Sequence, residues 1–362
     1  MKQLIERLVN VNSHTANVGG VNRVGELILE ALRDLPLTVE VEAAPSGAHH
    51  LSFATARAAR EPAILLVGHH DTVFPPGSFE GYTEDGDIAR GPGVLDMKGG
   101  LAIIIDVLHR LELSELPVRF VTVADEEVGS PSGKKLLESL VPRCRAALVF
   151  EAGRAGDAII TARRGSGNAV ARAVGKAAHA GNALAEGRNA IWALAKFVEA
   201  VSSRQGLISG ASANVGLISG GTARNTVPDH ARAELDLRFS DPAGQEAMFA
   251  LLHEAASLAL EGTRIDLDVQ VSRLPWARTL DSAALAERYG ACALAAGLQY
   301  SEAKTIGGGS DANTVGPLGL PAIDGLGPRG KGFHTPDEYI ELSSLALKAD
   351  ALLRFLRAEL RG

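Results

Sequence analysis

The sequence predicts an α/β domain into which a second, ferredoxin-like β-α-β-β-α-β unit is inserted. Three observations carry that expectation: short apolar runs alternating with helical ones between residues 60 and 150, a different rhythm over 164–275, and a return of the first style from 276 onward. The expected boundaries are therefore 1–163 and 276–362 for the α/β domain and 164–275 for the insertion. At 362 residues the chain is long enough for two domains of ordinary size.

In the first segment AILLVG (63–68) reads as a strand, KGGLAIIIDVLHRL (98–111) as a helix and VRFVTVA (118–124) as a strand, followed by a helix at 133–140 and the strand AALVF at 146–150. VRFVTVA is largely apolar on both faces, as an interior strand covered by helices on each side should be. The insertion reads as strand 168–174, helix 188–203, strands 213–219 and 230–239, helix 242–260 and strand 265–272, which is the split β-α-β order. Ser240 and Asp241 are N-cap types and Pro242 occupies a first-turn position, so they open the second of these helices. In HARAELDLRFS, Ala233, Leu235, Leu237 and Phe239 share one face, and Arg232, Glu234, Asp236 and Arg238 the other. The last part adds a helix near 281–297, the glycine-rich turn GGGSDA, a short strand in PAIDG and a final helix from 341.

Apolar residues make up 46% of the chain and charged ones 22%, which describes a soluble globular protein. The net charge is −7, and 36 lysines and arginines are scattered without a basic run, which excludes a nucleic-acid-tracking surface. No stretch approaches the ~18 apolar residues of a membrane span and the N-terminus lacks a signal-peptide layout, so a cytoplasmic protein without membrane partners is expected. Cys144 and Cys292 have no framework spacing and read as buried thiols.

The residues that carry chemistry gather at expected strand ends. His69, His70 and Asp71 follow AILLVG, at the edge where open α/β sheets place their ligands. Residues two apart point the same way in an extended segment, so Asp71 can accept the second ring N–H of a ligating His69, while His70 faces elsewhere and reads as structural. Alone, such a His-x-Asp is a solvated polar loop. Asp96 lies in GPGVLDMKGG, where an aspartate is commonly only a helix cap. Asp125-Glu126-Glu127 ends VRFVTVA and brings two or three carboxylates to one edge, where their repulsion calls for a cation. Adjacent residues diverge, so one can ligate while the other stays a free base. Glu151 follows AALVF and His334 lies in GKGFHTPDEY. The set, rather than any member, supplies the mixed nitrogen and oxygen ligands that zinc accepts.

With these residues in order, the chain resembles the dinuclear-zinc metallopeptidase family of glutamate carboxypeptidase (carboxypeptidase G), acetylornithine deacetylase and succinyl-diaminopimelate desuccinylase. The resemblance runs along nearly the whole chain through GHHDTV, GPGVLDMKGG, ADEEVGS, FEAG, GKAAHAG, GGGSDA and GFHTPDE. It implies a zinc-peptidase-like α/β catalytic domain with an inserted dimerisation or lid domain, hence a homodimer. It also implies two zinc ions, with cobalt or manganese as substitutes. His69 and Glu151 would bind one, Glu127 and His334 the other, and Asp96 would bridge them. Asp71 would orient His69, and Glu126 would be the general base on the metal-bridging water, passing its proton to the leaving amine.

By the same resemblance His179 in GKAAHAG matches a histidine that reaches across the dimer to the tetrahedral oxyanion. Asn225 in ARNTVP and Arg238 in LDLRF match positions that clamp a free carboxylate, and Gly308 and Gly309 would let backbone approach that group. Arg238 alternatively pairs on its own strand with Glu234 or Asp236. Ala152-Gly153-Arg154 and the pair Arg163-Arg164 depart from the family pattern and are candidates for lining the substrate pocket. The expected substrate is a small molecule or peptide with a free carboxylate, and the expected reaction is amide hydrolysis releasing a glutamate-like residue. Deacylation of an N-acyl amino acid is the alternative, and a non-catalytic binding module the reading from a different class.

Overall fold

Six strands build the larger sheet of the protein, whose computed structural model describes residues 1–258 and 260–359. Their order is Leu37–Ala43, His49–Thr55, Val118–Val123, Ala63–His69, Cys144–Val149 and Ala322–Ile323. The first two pair antiparallel, as does His49–Thr55 with Val118–Val123; the last four run parallel. Val118–Val123 and Ala63–His69 are buried at every position, which is why they read as continuous apolar runs rather than as alternation. The helix Gly99–His109 is buried except at Asp106 and its last residue His109, so it too is apolar nearly all round. Its first turn lies against the sheet: a Cβ on Gly100 would stand 2.2 Å from the Phe150 carbonyl oxygen. The helices Lys2–Val9, Val18–Leu32, Gly133–Leu140, Leu280–Ala295 and Leu342–Ala358 belong to the same part.

The chain divides into two compact units, residues 1–162 with 278–306 and 310–362, and residues 163–277 with 307–309. In the second unit the strands Ala211–Gly220, His230–Phe239, Gly165–Val174 and Arg264–Arg273 form an antiparallel sheet in that order, the ferredoxin-like arrangement. Burial alternates along His230–Phe239, with Ala233, Leu235, Leu237 and Phe239 packed in one core with residues of the helices Ala190–Arg204 and Pro242–Ser257. Asp241 caps the latter helix by accepting from Gly244 N at 2.8 Å.

Three local expectations are corrected. The strand expected from 168 begins at Gly165: its glycines hid it, and Gly167 is required where the neighbouring strand approaches, a Cβ there lying 2.5 Å from the Gln270 carbonyl oxygen. The helix expected to 260 ends at Ser257; residue 259 lies outside the described residues. Cys144 and Cys292 are free but only half-buried.

Candidate metal centre

Parallel strands ending side by side deliver most of the site. Ala63–His69 ends on His69, Val118–Val123 runs into the single turn Glu126–Val128, and Cys144–Val149 is followed two residues later by Glu151. The register aligns them, since His69 pairs with Val123 and Val67 with Val149. Asp96 comes from the turn Val94–Lys98, where the Asp96–Met97 peptide is cis, and His334 from the loop before Tyr339–Glu341. His334 has φ 64°, in the left-handed region; for a residue with a side chain this costs roughly 1–3 kcal/mol and persists where the surroundings fix a functional group.

The five side chains form two groups that share Asp96. His69, Asp96 and Glu151 each bring a donor atom within 4.8 Å of the others, and so do Asp96, Glu127 and His334. His69 Nε2 lies 3.3 Å from Asp96 Oδ1 and 3.7 Å from Glu151 Oε2. His334 Nε2 lies 3.3 Å from Asp96 Oδ2 and 3.2 Å from Glu127 Oε2. The two oxygens of Asp96 thus face different histidines, as in a bridging carboxylate. Ligands held tetrahedrally at ~2.0–2.2 Å stand roughly 3.3–3.6 Å apart, close to these separations.

The donor set fits a pair of divalent cations electrostatically as well. Burial pushes the Glu151 carboxyl well above the usual range, and the neighbouring Asp96 adds to it. Burial also raises Glu127, against the pull of His334. On Asp96 burial acts the same way, yet His334 and His69 outweigh it and hold that carboxyl well below its ordinary value. Asp96 and Glu127 push His334 up to about 10. Burial depresses His69, but Glu151 and the hydrogen bonds to Asp71 and Asp96 carry it well above its usual value. Glu127 Oε1 is buried with no hydrogen-bond partner, an acceptor that a cation satisfies. His69 and His334 would ligate a cation through Nε2, which would take over the neutralisation in place of the proton on that nitrogen.

Positioning is done by residues behind the candidate ligands. His69 Nδ1 lies 3.0 Å from the main-chain oxygen of Asp71 and 3.4 Å from its Oδ1. Both are acceptors, so Nδ1 donates and Nε2 is left free to ligate. The Asp71 carboxylate also accepts from Glu126 N at 3.1 Å, Glu127 N at 3.2 Å and Thr15 Oγ1 at 2.7 Å. One buried group therefore sets His69 and the turn that carries Glu126 and Glu127. Glu126, half-buried in that turn, belongs to neither donor group.

Sequence reasoning missed Thr15 and Glu338. Glu338 is fully buried and accepts from Gly93 N, Leu95 N and Asp96 N at 2.7–3.2 Å, pinning the backbone of the shared aspartate. Its signal was in GFHTPDE, whose last residue it is, four positions after His334. Burial raises its carboxyl to about 7. Of the three acids at the end of Val118–Val123 two stay at the edge: Asp125 accepts instead from Ser132 N, Ser132 Oγ and Gly133 N, capping the helix Gly133–Leu140. His70 is buried against Thr122 Oγ1 at 2.9 Å, and burial depresses it to about 3, so it is a neutral structural imidazole.

The remaining candidates lie in the second unit. His179 and Asn225 are exposed on a two-stranded ribbon, Ala178–His179 with Thr226–Val227, where Ala180 N donates to the Asn225 carbonyl. Gly181 N and Asn182 N both donate to His179 Nδ1 at 3.1 Å, which places the ring proton on Nε2. Arg238 makes a two-pronged pair with Asp236, at 2.8 and 2.9 Å, on the open face of the sheet. Arg238 and Arg273 are both register partners of Ser166, Gly309 packs against Arg273, and Gly308 O accepts from Arg163. Arg238, Gly308 and Gly309 therefore share one end of the sheet. His230 lies at the other end, eight residues or roughly 26 Å along the strand, and the connection carrying Asn225 lies beyond it.

Fold and site together define a metal-dependent hydrolase of amide bonds with two cation positions. The chain belongs to the peptidase family M20/M25/M40, whose pattern it matches over residues 65–358. It is 27% identical to carboxypeptidase G2 of a Pseudomonas species over 94% of this chain and 85% of that protein. It is 31% identical to acetylornithine deacetylase of Erwinia tasmaniensis over 41% of this chain and 42% of that one. In structure it is similar to a tripeptidase from Staphylococcus aureus, with a TM-score of 0.81 and 25% identity, covering 100% of this chain and 98% of that one. Among the described residues no helix is long and apolar enough to cross a membrane.

Proposed function

We propose that the protein hydrolyses an amide bond next to a free carboxylate and releases a glutamate-like amino acid, using two zinc ions, with cobalt or manganese as substitutes. The observation that carries the reading is Asp96, whose two oxygens face His69 and His334 separately. The cations, when bound, polarise the scissile carbonyl and make water a nucleophile near neutral pH. Glu126, held beside the ligand Glu127 by Asp71, takes the proton from the attacking water and delivers it to the leaving nitrogen. His179 donates Nε2–H to the developing oxyanion. Arg238 leaves Asp236 to grip the substrate carboxylate in the same two-pronged way, with the backbone of Gly308 and Gly309 alongside.

His179 and Asn225 lie at the opposite end of the sheet from Arg238, so one substrate meets all of these residues only if two copies contribute. We therefore infer a homodimer through the inserted domain. It is supported by the edge strand Ala211–Gly220 with exposed Leu217 and Ile218, and by the exposed Trp192 on the helix Ala190–Arg204. Two inactive variants, His179→Ala and Glu126→Gln, should regain activity when mixed and allowed to exchange subunits; exchanged hybrids without activity would refute the shared site.

Glutamate as the released residue is supported by the resemblance to carboxypeptidase G2 along 94% of the chain and by the placement of Arg238. The second reading, an N-acyl amino acid deacylase, is favoured by the shorter match to acetylornithine deacetylase. Zinc-loaded protein should release glutamate from peptidyl and N-acyl glutamates with varied acyl groups, with Glu126→Gln as the control. Turnover confined to N-acylated basic amino acids would move the assignment to the deacylase, and no turnover on any of these would refute both.

A further inference from the structure

The edge of the six-stranded sheet opposite the metal centre is basic. The strands Ala63–His69, Val118–Val123 and Cys144–Val149 start there, and the residues around those starts line a cavity of about 620 Å³. Arg60, Arg119 and Arg143 reach it, together with Thr38, Glu40 and Glu61. Glu61 is already held by Arg57 at 2.7 and 2.8 Å, which leaves three arginines against the single uncommitted carboxylate of Glu40 among the lining residues.

Arg119 is the group that asks for a ligand. Its register partners Ala54 and Leu65 place it inside the sheet, and it is 5% exposed. Of its five N–H groups one donates to the Ala58 carbonyl at 3.0 Å, while Nε is buried with no partner. Among the described residues no carboxylate lies within 4.0 Å of it. A guanidinium stays charged in proteins, and a buried charge without a counter-charge is strongly unfavourable.

We propose that this cavity binds a small oxyanion, the phosphate or carboxylate group of a free metabolite, seated on Arg119 with the exposed Arg60 and Arg143 as further donors. Paired N–H groups of a guanidinium match two oxygens of either anion. The cavity stands roughly 20 Å, one seven-residue strand, from the catalytic edge, so an anion bound here touches none of the metal ligands.

The experiment titrates the metal-loaded enzyme with inorganic phosphate, pyrophosphate and citrate at constant ionic strength, following binding by calorimetry and the thermal midpoint. Phosphate can also bind the catalytic cations, so the readout is the difference between wild type and the double variant Arg60→Ala/Arg143→Ala. Expected are a saturable site in wild type, at least tenfold weaker in the double variant and absent in Arg119→Met, with kcat/KM in anion-free buffer unchanged in the double variant. Tighter binding of the phosphates identifies a phosphate group and tighter binding of citrate a carboxylate, each supporting the site. Identical isotherms in wild type and double variant would overturn it, and that comparison decides even if Arg119→Met fails to fold.

Discussion

The candidate metal edge of the large sheet and the open face of the inserted sheet both carry charged residues, in opposite circumstances. At the edge, Asp96, Glu127 and Glu151 crowd two histidines, and a buried oxygen of Glu127 has no partner. On the open face, Arg238 is answered by Asp236 two residues away in partial contact with solvent. Buried charge that the protein does not balance points outward, to a ligand that must complete it. Exposed charge that its neighbour balances says little until a substrate competes for it.

That contrast is sharpened first by Glu126→Gln. If Glu126 moves protons and does not ligate, kcat should fall by roughly 10²–10⁴-fold while metal content stays the same; metal loss in this variant would make Glu126 a ligand and break the division of roles. Next comes Asp71→Asn, which keeps the size of the group but weakens its grip on the Glu126–Glu127 turn and on His69. A loss of roughly 10–100-fold in metal affinity or activity is expected, and an unaltered enzyme would show that the turn holds itself. Arg238→Ala should raise KM by roughly 10–150-fold, the worth of a hydrogen bond to a charged group, with kcat little changed; an unchanged KM would leave Arg238 as a surface partner of Asp236 only.

The smallest effect concerns a buried acid away from the site. Burial raises the Asp157 carboxyl, but Arg329, at 2.8 Å from Oδ1, and Lys348, at 3.4 Å, outweigh it and hold it below its ordinary value. A depressed carboxylate contributes stability above its unfolded pKa, lost as pH falls through the folded one. Asp157→Asn should therefore lower Tm by roughly 2–4 °C near neutral pH, a difference that closes below ~pH 4. A constant difference across that range would mean packing rather than charge.

How much was legible in the sequence follows the same line. The α/β alternation, the split insertion and the five donor residues stand in local patterns, because strand ends and periodicity are local. Glu338 was not legible, since its value lies in backbone N–H groups more than 240 residues earlier in the chain. Whether Asp125 joins the acidic edge was left open by the sequence, because its partners Ser132 and Gly133 come from the start of the next helix. Nor could a pattern reveal that Arg238 and Asn225 sit at opposite ends of one sheet; that is a matter of register.

The central claim is that Asp96 serves two cation positions at once. Metal-stripped protein reloaded with zinc, then dialysed and analysed for metal per chain, tests it directly. Wild type should hold two ions, Glu151→Ala and His334→Ala one each, and Asp96→Ala neither at comparable affinity. A single ion in wild type, or an Asp96→Ala protein that still holds two, would contradict the account.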